Sequence, residues 1–207
     1  YPMLYRLTGV RTDGYDALLN QPEALADLYR KAVLLNGNRD VLLGLYQSLP
    51  GEPKLRASVQ SALSLLDGTI ACPVGVRVQA GTESPIRTAV YSTVTGDLLV
   101  VLVGNEQEHA MLTLDSVAGT GAKAWSGGGQ WQKVKLKNTK TGAQCEVPLT
   151  DGLAVIAVTP KNPQPRVAVF PDPAVEAAVR IALQKPEGLL SLEEVQAITQ
   201  LEHLNPC

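Results

Sequence analysis

At 207 residues and 45% hydrophobic content, the chain is long enough to bury a substantial core in one or two domains. Its net charge of −2 is spread evenly, so no basic stripe marks a nucleic-acid or anionic-membrane partner. Aromatic residues are only 4%, no apolar run approaches the roughly 18 residues of a membrane span, and the first residues lack the basic-then-apolar pattern of a signal peptide.

Tyr1–Val10 reads as a short strand followed by a loop at Arg11-Thr12-Asp13-Gly14. After Gln21 a helix is predicted, with Pro22 in its first turn and Leu25, Leu28, Tyr29, Ala32 and Leu35 on one face. Gly37 suits the left-handed position that ends it, and Asn38 suits the cap of the next helix. Val41, Leu42, Leu45, Tyr46 and Leu49 line a second helical face, and Leu55, Val59, Ala62 and Leu66 a third. These faces are broad, so the helices must pack on something.

From Thr69 the apolar period shortens to two. Strands are predicted at Val74–Ala80, Ile86–Val94, Leu98–Val103, His109–Leu114, Ala122–Trp125, Trp131–Lys137, Gln144–Leu149 and Leu153–Val158. Leu98–Val103 is LLVVLV, six apolar residues bounded by turn residues, which marks a strand buried on both faces. Leu153–Val158, LAVIAV, is its natural partner in the core. Lys133-Val134-Lys135-Leu136-Lys137 alternates, so one face is solvated and one buried. Eight short strands at this spacing predict an antiparallel β-sandwich.

Pro160, Pro163 and Pro165 mark a semi-rigid linker. Beyond it, Asp172 caps a predicted helix with Pro173 at its first position and Val175, Val179 and Ala182 or Leu183 on its apolar face. Ser191-Leu192-Glu193-Glu194 is a capping box opening another, with Val195, Ile198 and Leu201 on its inward face. The fold class expected is α+β, with a helical segment at 1–68, a sandwich at 69–160, a linker at 161–169 and a small helical cap at 170–207.

Cys72, Cys145 and Cys207 are far apart and form no CxxC motif. A Cys72–Cys145 disulfide and unbonded buried cysteines are both open. Two histidines without a cysteine or carboxylate cluster make no metal site, and no cofactor is expected.

Two resemblances add to this reading. Phe170–Arg180, Lys185-Pro186-Glu187-Gly188, Ser191–Val195 and Ile198–Leu201 resemble the N-terminal cap of bacterial leucine-rich-repeat domains of the internalin-like kind. That resemblance implies two small helices covering the end of a solenoid. It departs from the family at Pro206-Cys207, where a first repeat would continue. Arg87–Val90, Asp97–Asn105 and Val147–Val158 are similar in pattern to the β-sandwich that follows the (β/α)8 barrel of bacterial glycoside hydrolases. On that resemblance Tyr1–Val10 would be a late barrel strand and residues 22–66 the closing helices. The abrupt ends, Tyr1-Pro2-Met3 and Asn205-Pro206-Cys207, fit a fragment of a longer protein, secreted or at the cell surface.

Chemistry is sparse. Glycosidases need two carboxylates roughly 5–10 Å apart across one bond. Asp13 and Asp16 are read as solvated loop residues, and no nucleophile elbow is present. Gly127–Gly129 lacks the strand-to-helix context of a phosphate loop and reads as a hairpin turn. Trp125 and Trp131 flank it and are the candidate substrate-binding pair, offering flat rings to a sugar; the competing reading is a structural seal at a sandwich edge. Lys133, Lys135 and Lys137 make a small basic face that reads as protection of an edge strand, with anion binding as the competing reading. The function expected is a non-catalytic accessory portion of a carbohydrate-active protein, bracing a catalytic domain or positioning glycan. The alternative is a structural or adhesion protein that meets protein partners through its sandwich and cap.

Residues 1–68 expressed alone should be poorly folded, because their apolar faces lack a cover. Circular dichroism melting of that piece checks this, and a cooperative transition would refute it.

Overall fold

A computed structural model describes residues 21–37, 53–80, 86–104, 109–125 and 130–198. The strand expected at Tyr1–Val10, the loop with Asp13 and Asp16, the helical face Val41–Leu49, the Gly127–Gly129 turn, Leu201, His203 and Cys207 lie outside the described residues.

The fold is α+β, with two antiparallel sheets. The larger runs, in spatial order, β1 (Ile70–Ala71), β3 (Arg87–Ser92), β4 (Leu98–Val103), β10 (Leu153–Pro160), β6 (Gly119–Trp125) and β7 (Trp131–Val134). The smaller runs β2 (Val76–Ala80), β5 (His109–Asp115), β9 (Gly142–Pro148) and β8 (Leu136–Asn138). LLVVLV and LAVIAV pair directly, from Leu98 opposite Val158 to Val103 opposite Leu153.

Alternation splits this pair between two cores. Val100, Leu102, Ala154, Ile156 and Val158 point into the sandwich, where they meet Leu112 and Leu114 of β5 and Cys145 and Val147 of β9. Leu99, Val101, Val103, Leu153 and Val155 point the other way, onto helices α1 (Pro22–Asn36) and α2 (Pro53–Leu65). The larger sheet is therefore the middle layer of three. Burying one Val or Leu contributes about 1.5–3 kcal/mol, so these two strands add stability to both cores at once.

The helices follow the predicted faces. Leu25, Leu28, Tyr29 and Ala32 of α1 and Val59 and Ala62 of α2 are buried. Gly37 ends α1 at φ +58°, its N–H donating to the Val33 carbonyl at 3.0 Å. Two polar ties fix α1 to the sheet. The Tyr91 hydroxyl on β3 donates to the Leu34 carbonyl at 2.7 Å, and burial pushes that hydroxyl up to about 12. Lys31, itself buried, pairs with Asp27 at 2.6 Å and donates to the Asp151 carbonyl at 2.5 Å, in the turn between β9 and β10. A buried ammonium needs such partners, because desolvation without them would be costly.

One expected strand is corrected. Trp131–Lys137 is not a single strand: the chain leaves the larger sheet after Val134, turns at Lys135 and enters the smaller sheet as β8. The alternation survives the bend, since Val134 and Leu136 both pack on the sandwich core. The crossing follows from hydrogen bonding: β7 pairs with β6, whereas Leu136–Asn138 pairs with Cys145–Ala143 of β9. Cys72 and Cys145 form no disulfide, and of the two only Cys145 is buried, Cys72 being half-buried; burial pushes the Cys145 thiol up to about 11.

The proline-rich segment stays against the sandwich. Pro160 ends β10 at an irregularity, where a missing N–H is tolerated. Gly96, at φ +86°, lies so near the segment that a Cβ would stand 2.7 Å from the Gln164 nitrogen. Arg166 then makes the join. Its backbone N–H donates to the Val94 carbonyl, and its guanidinium donates to the Gly68 and Ser92 carbonyls at 2.9 Å and pairs with Glu193 at 2.5 Å.

The C-terminal helices are α3 (Pro173–Ala182) and α4 (Leu192–Gln196). Asp172 caps α3 by accepting from the Ala174 N–H at 2.8 Å. The Ser191–Glu194 capping box is formed in both directions, at 3.0 and 2.8 Å. Ala178, Val179 and Leu190 are buried, while Val195 and Ile198 are half-buried.

The hydrogen bond from Arg166 holds the Glu193 carboxyl below its ordinary 4.5. A depressed folded value means stabilisation that is present above the ordinary value and lost as pH falls through the folded one. The protection of amides 190–196, taken relative to the intrinsic exchange rate at each pH, should therefore fall on acidification below about pH 4.5. Arg166→Met should flatten that dependence, as hydrogen exchange followed by mass spectrometry will show.

Candidate functional site

The side of the larger sheet that meets the helices is built in rows across its strands. One row is Ala89–Val101–Val155–Trp125–Trp131, and the next is Tyr91–Leu99–Ala157–Lys123–Lys133. Beyond it Thr159 stands opposite Gly121, with Asp97 just before the start of β4. The face thus runs from apolar under the helices to polar where they end.

The two tryptophans are direct cross-strand neighbours, which the sequence spacing alone had made the candidate pair. Their environments differ. Trp125 is 2% exposed and packs into the helix–sheet core, whereas Trp131, on the edge strand, is 38% exposed. Only Trp131 of the two turns ring surface to solvent. The other described aromatics offer no strip beside it, since Tyr29 and Tyr91 are buried and Phe170 is half-buried.

Where the apolar rows end, a trough of about 360 Å³ opens between Lys123 and Lys133 on one side and Asp97 on the other, with Gly121, Ala157 and Thr159 between. Neither lysine forms an ion pair with a carboxylate among the described residues. The Asp97 carboxylate accepts the Thr95 hydroxyl at 3.1 Å. Of these residues the sequence reading singled out only Lys133. Lys123 was legible only through its register partner, which a sequence does not print.

The remaining candidates do not assemble into chemistry. His109 opens β5 on the surface, 3.8 Å from Glu146. Among the described residues no group of three His, Cys, Asp or Glu side chains could hold a metal ion. No described helix is long and apolar enough to cross a membrane. A cavity of about 390 Å³ at the open end of the sandwich, beside Cys72, Val74, Leu98 and Val117, is largely apolar and carries no charged pair.

No protein-family model matches this chain, and no curated protein sequence matches it either.

The burial difference predicts opposite costs for the pair. Trp125→Ala should destabilise the fold by about 3–5 kcal/mol, and Trp131→Ala by under about 1 kcal/mol. Urea denaturation of the two variants measures both.

Proposed function

We propose that this chain is a non-catalytic accessory portion of a secreted or surface-exposed carbohydrate-active protein, in which the sandwich braces the helical segment. One observation carries the bracing role: α1, α2 and the larger sheet share a single apolar core, tied by Tyr91 to Leu34 and by Lys31 to Asp151. A sheet face occupied this way is a mount, and what it mounts is the segment that the glycoside-hydrolase resemblance places at the end of a catalytic barrel. The carbohydrate setting comes from that resemblance.

A second reading has its own observation. Val169, Ile181, Leu189 and Leu192 are exposed apolar residues in the C-terminal part, 84%, 60%, 53% and 43% accessible. Such exposure favours a structural or adhesion protein that assembles through its cap.

The two readings separate on the protein as its source makes it. The accessory reading expects an intact mass far above 22.0 kDa, together with hydrolysis of a glycan by the native protein. A native mass near 22.0 kDa, or a larger protein without glycosidase activity, would overturn it and leave assembly as the better account.

A further inference from the structure

The geometry points to the trough at Lys123, Lys133 and Asp97 as a binding site for an anionic saccharide, one whose sugar ring carries a carboxylate or sulfate. The inference rests on the carbohydrate-active reading for its choice of saccharide. The placement of charge comes from the sheet itself.

Lys123 is the informative residue. It stands directly opposite Lys133, and like charges so placed on an antiparallel pair repel. Protection of an exposed edge explains Lys133, because β7 is the outermost strand. It does not explain Lys123, because β6 lies inside the sheet between β10 and β7. Among the described residues no ion pair to either lysine offsets the repulsion. An anion held between the two ammonium groups would turn the repulsion into a favourable interaction.

The shape of the trough supports a ring-sized guest. Its floor is made of Ala157 and Gly121, and a Cβ added at Gly121 would meet nothing within 4 Å. That glycine leaves space that packing does not demand. The far wall excludes a bare inorganic anion as the best fit, because Asp97 would repel it. A saccharide resolves the conflict: its acid group faces the lysines, while its hydroxyls donate to the Asp97 carboxylate and exchange hydrogen bonds with the Thr159 hydroxyl. Trp131 lies two residues before Lys133 on the same face, about 6.6 Å along the strand. Its exposed ring is placed to cover a neighbouring sugar unit, with an apolar face and a polar N–H edge.

Calorimetric titration of the 207-residue chain tests this with four probes: trigalacturonate, its fully methyl-esterified neutral form, a sulfated galactan tetrasaccharide and sodium sulfate. At least one acidic saccharide should bind, more weakly as salt rises. The neutral ester should bind about tenfold or more weaker than trigalacturonate if the uronate is the ligand. Lys123→Gln combined with Lys133→Gln should weaken the acidic saccharide about tenfold or more without lowering the melting temperature, since a repulsion is removed. Trp131→Ala should weaken it with the fold intact. Absence of binding by both acidic saccharides would overturn the inference. So would affinity indifferent to the two lysines, or sulfate ion binding as tightly as the saccharides. Glycan hydrolysis by the native protein, with no acidic saccharide bound here, would sink this inference alone and leave the accessory reading standing. Acidic-saccharide binding by a native protein of 22.0 kDa would do the reverse.

Discussion

The structure depends on one strand pair being apolar on both faces. In β4 and β10 every second side chain enters the sandwich and the others enter the helix–sheet core, so a single ladder serves two interiors. A one-residue slip of this ladder would exchange the two sets, and each core is shaped for its own. Leu102 and Ile156 fill the sandwich, whereas Val101 and Val155 lie beside Trp125 beneath the helices. The helices are therefore the third layer of one packed unit, with their docking fixed by Tyr91 and Lys31 as well as by apolar burial.

That layering also explains where polar function is allowed to appear. The helix-facing side of the larger sheet is apolar only as far as the helices reach. Its last rows carry Lys123, Lys133, Thr159 and Asp97, residues that would be intolerable one or two rows further in. A binding surface on a scaffold of this kind has little choice of location. The inner faces are filled by apolar side chains, and the outer rows of the covered face are set by the ladder that joins β4, β10, β6 and β7.

Much of the fold was legible because it rests on local patterns. Two six-residue apolar runs announced the central strands and their pairing, a Pro at helix start and a Gly at helix end marked α1, and the Ser191–Glu194 spacing marked α4. What escaped notice depends on partners. Ile70–Ala71 is too short to carry a pattern and exists because Tyr91 and Ser92 bond to it. The bend at Lys135 leaves the alternation of Val134 and Leu136 untouched, so the crossing between sheets has no periodic signature. The site suffered the same way. Trp125 and Trp131 look equivalent along the chain, and only the helix layer makes one a core residue. The lysine opposition is a fact of register, visible once β6 and β7 are paired.

The central pairing also governs how the chain must fold. β4 is joined to its neighbour β3 by a five-residue hairpin connection, whereas its other edge pairs with β10, which follows β5 through β9 in the chain. Sheets closed by such distant pairings fold slowly, commonly in milliseconds to seconds. During that interval LLVVLV and LAVIAV are six-residue segments of high β-propensity, without charge or proline, which is the composition of segments that stack into amyloid-like sheets. The residues that hold the finished molecule together are thus its chief aggregation hazard while it is incomplete, and recovery of soluble protein should depend on chain concentration during refolding far more than on the stability of the folded state.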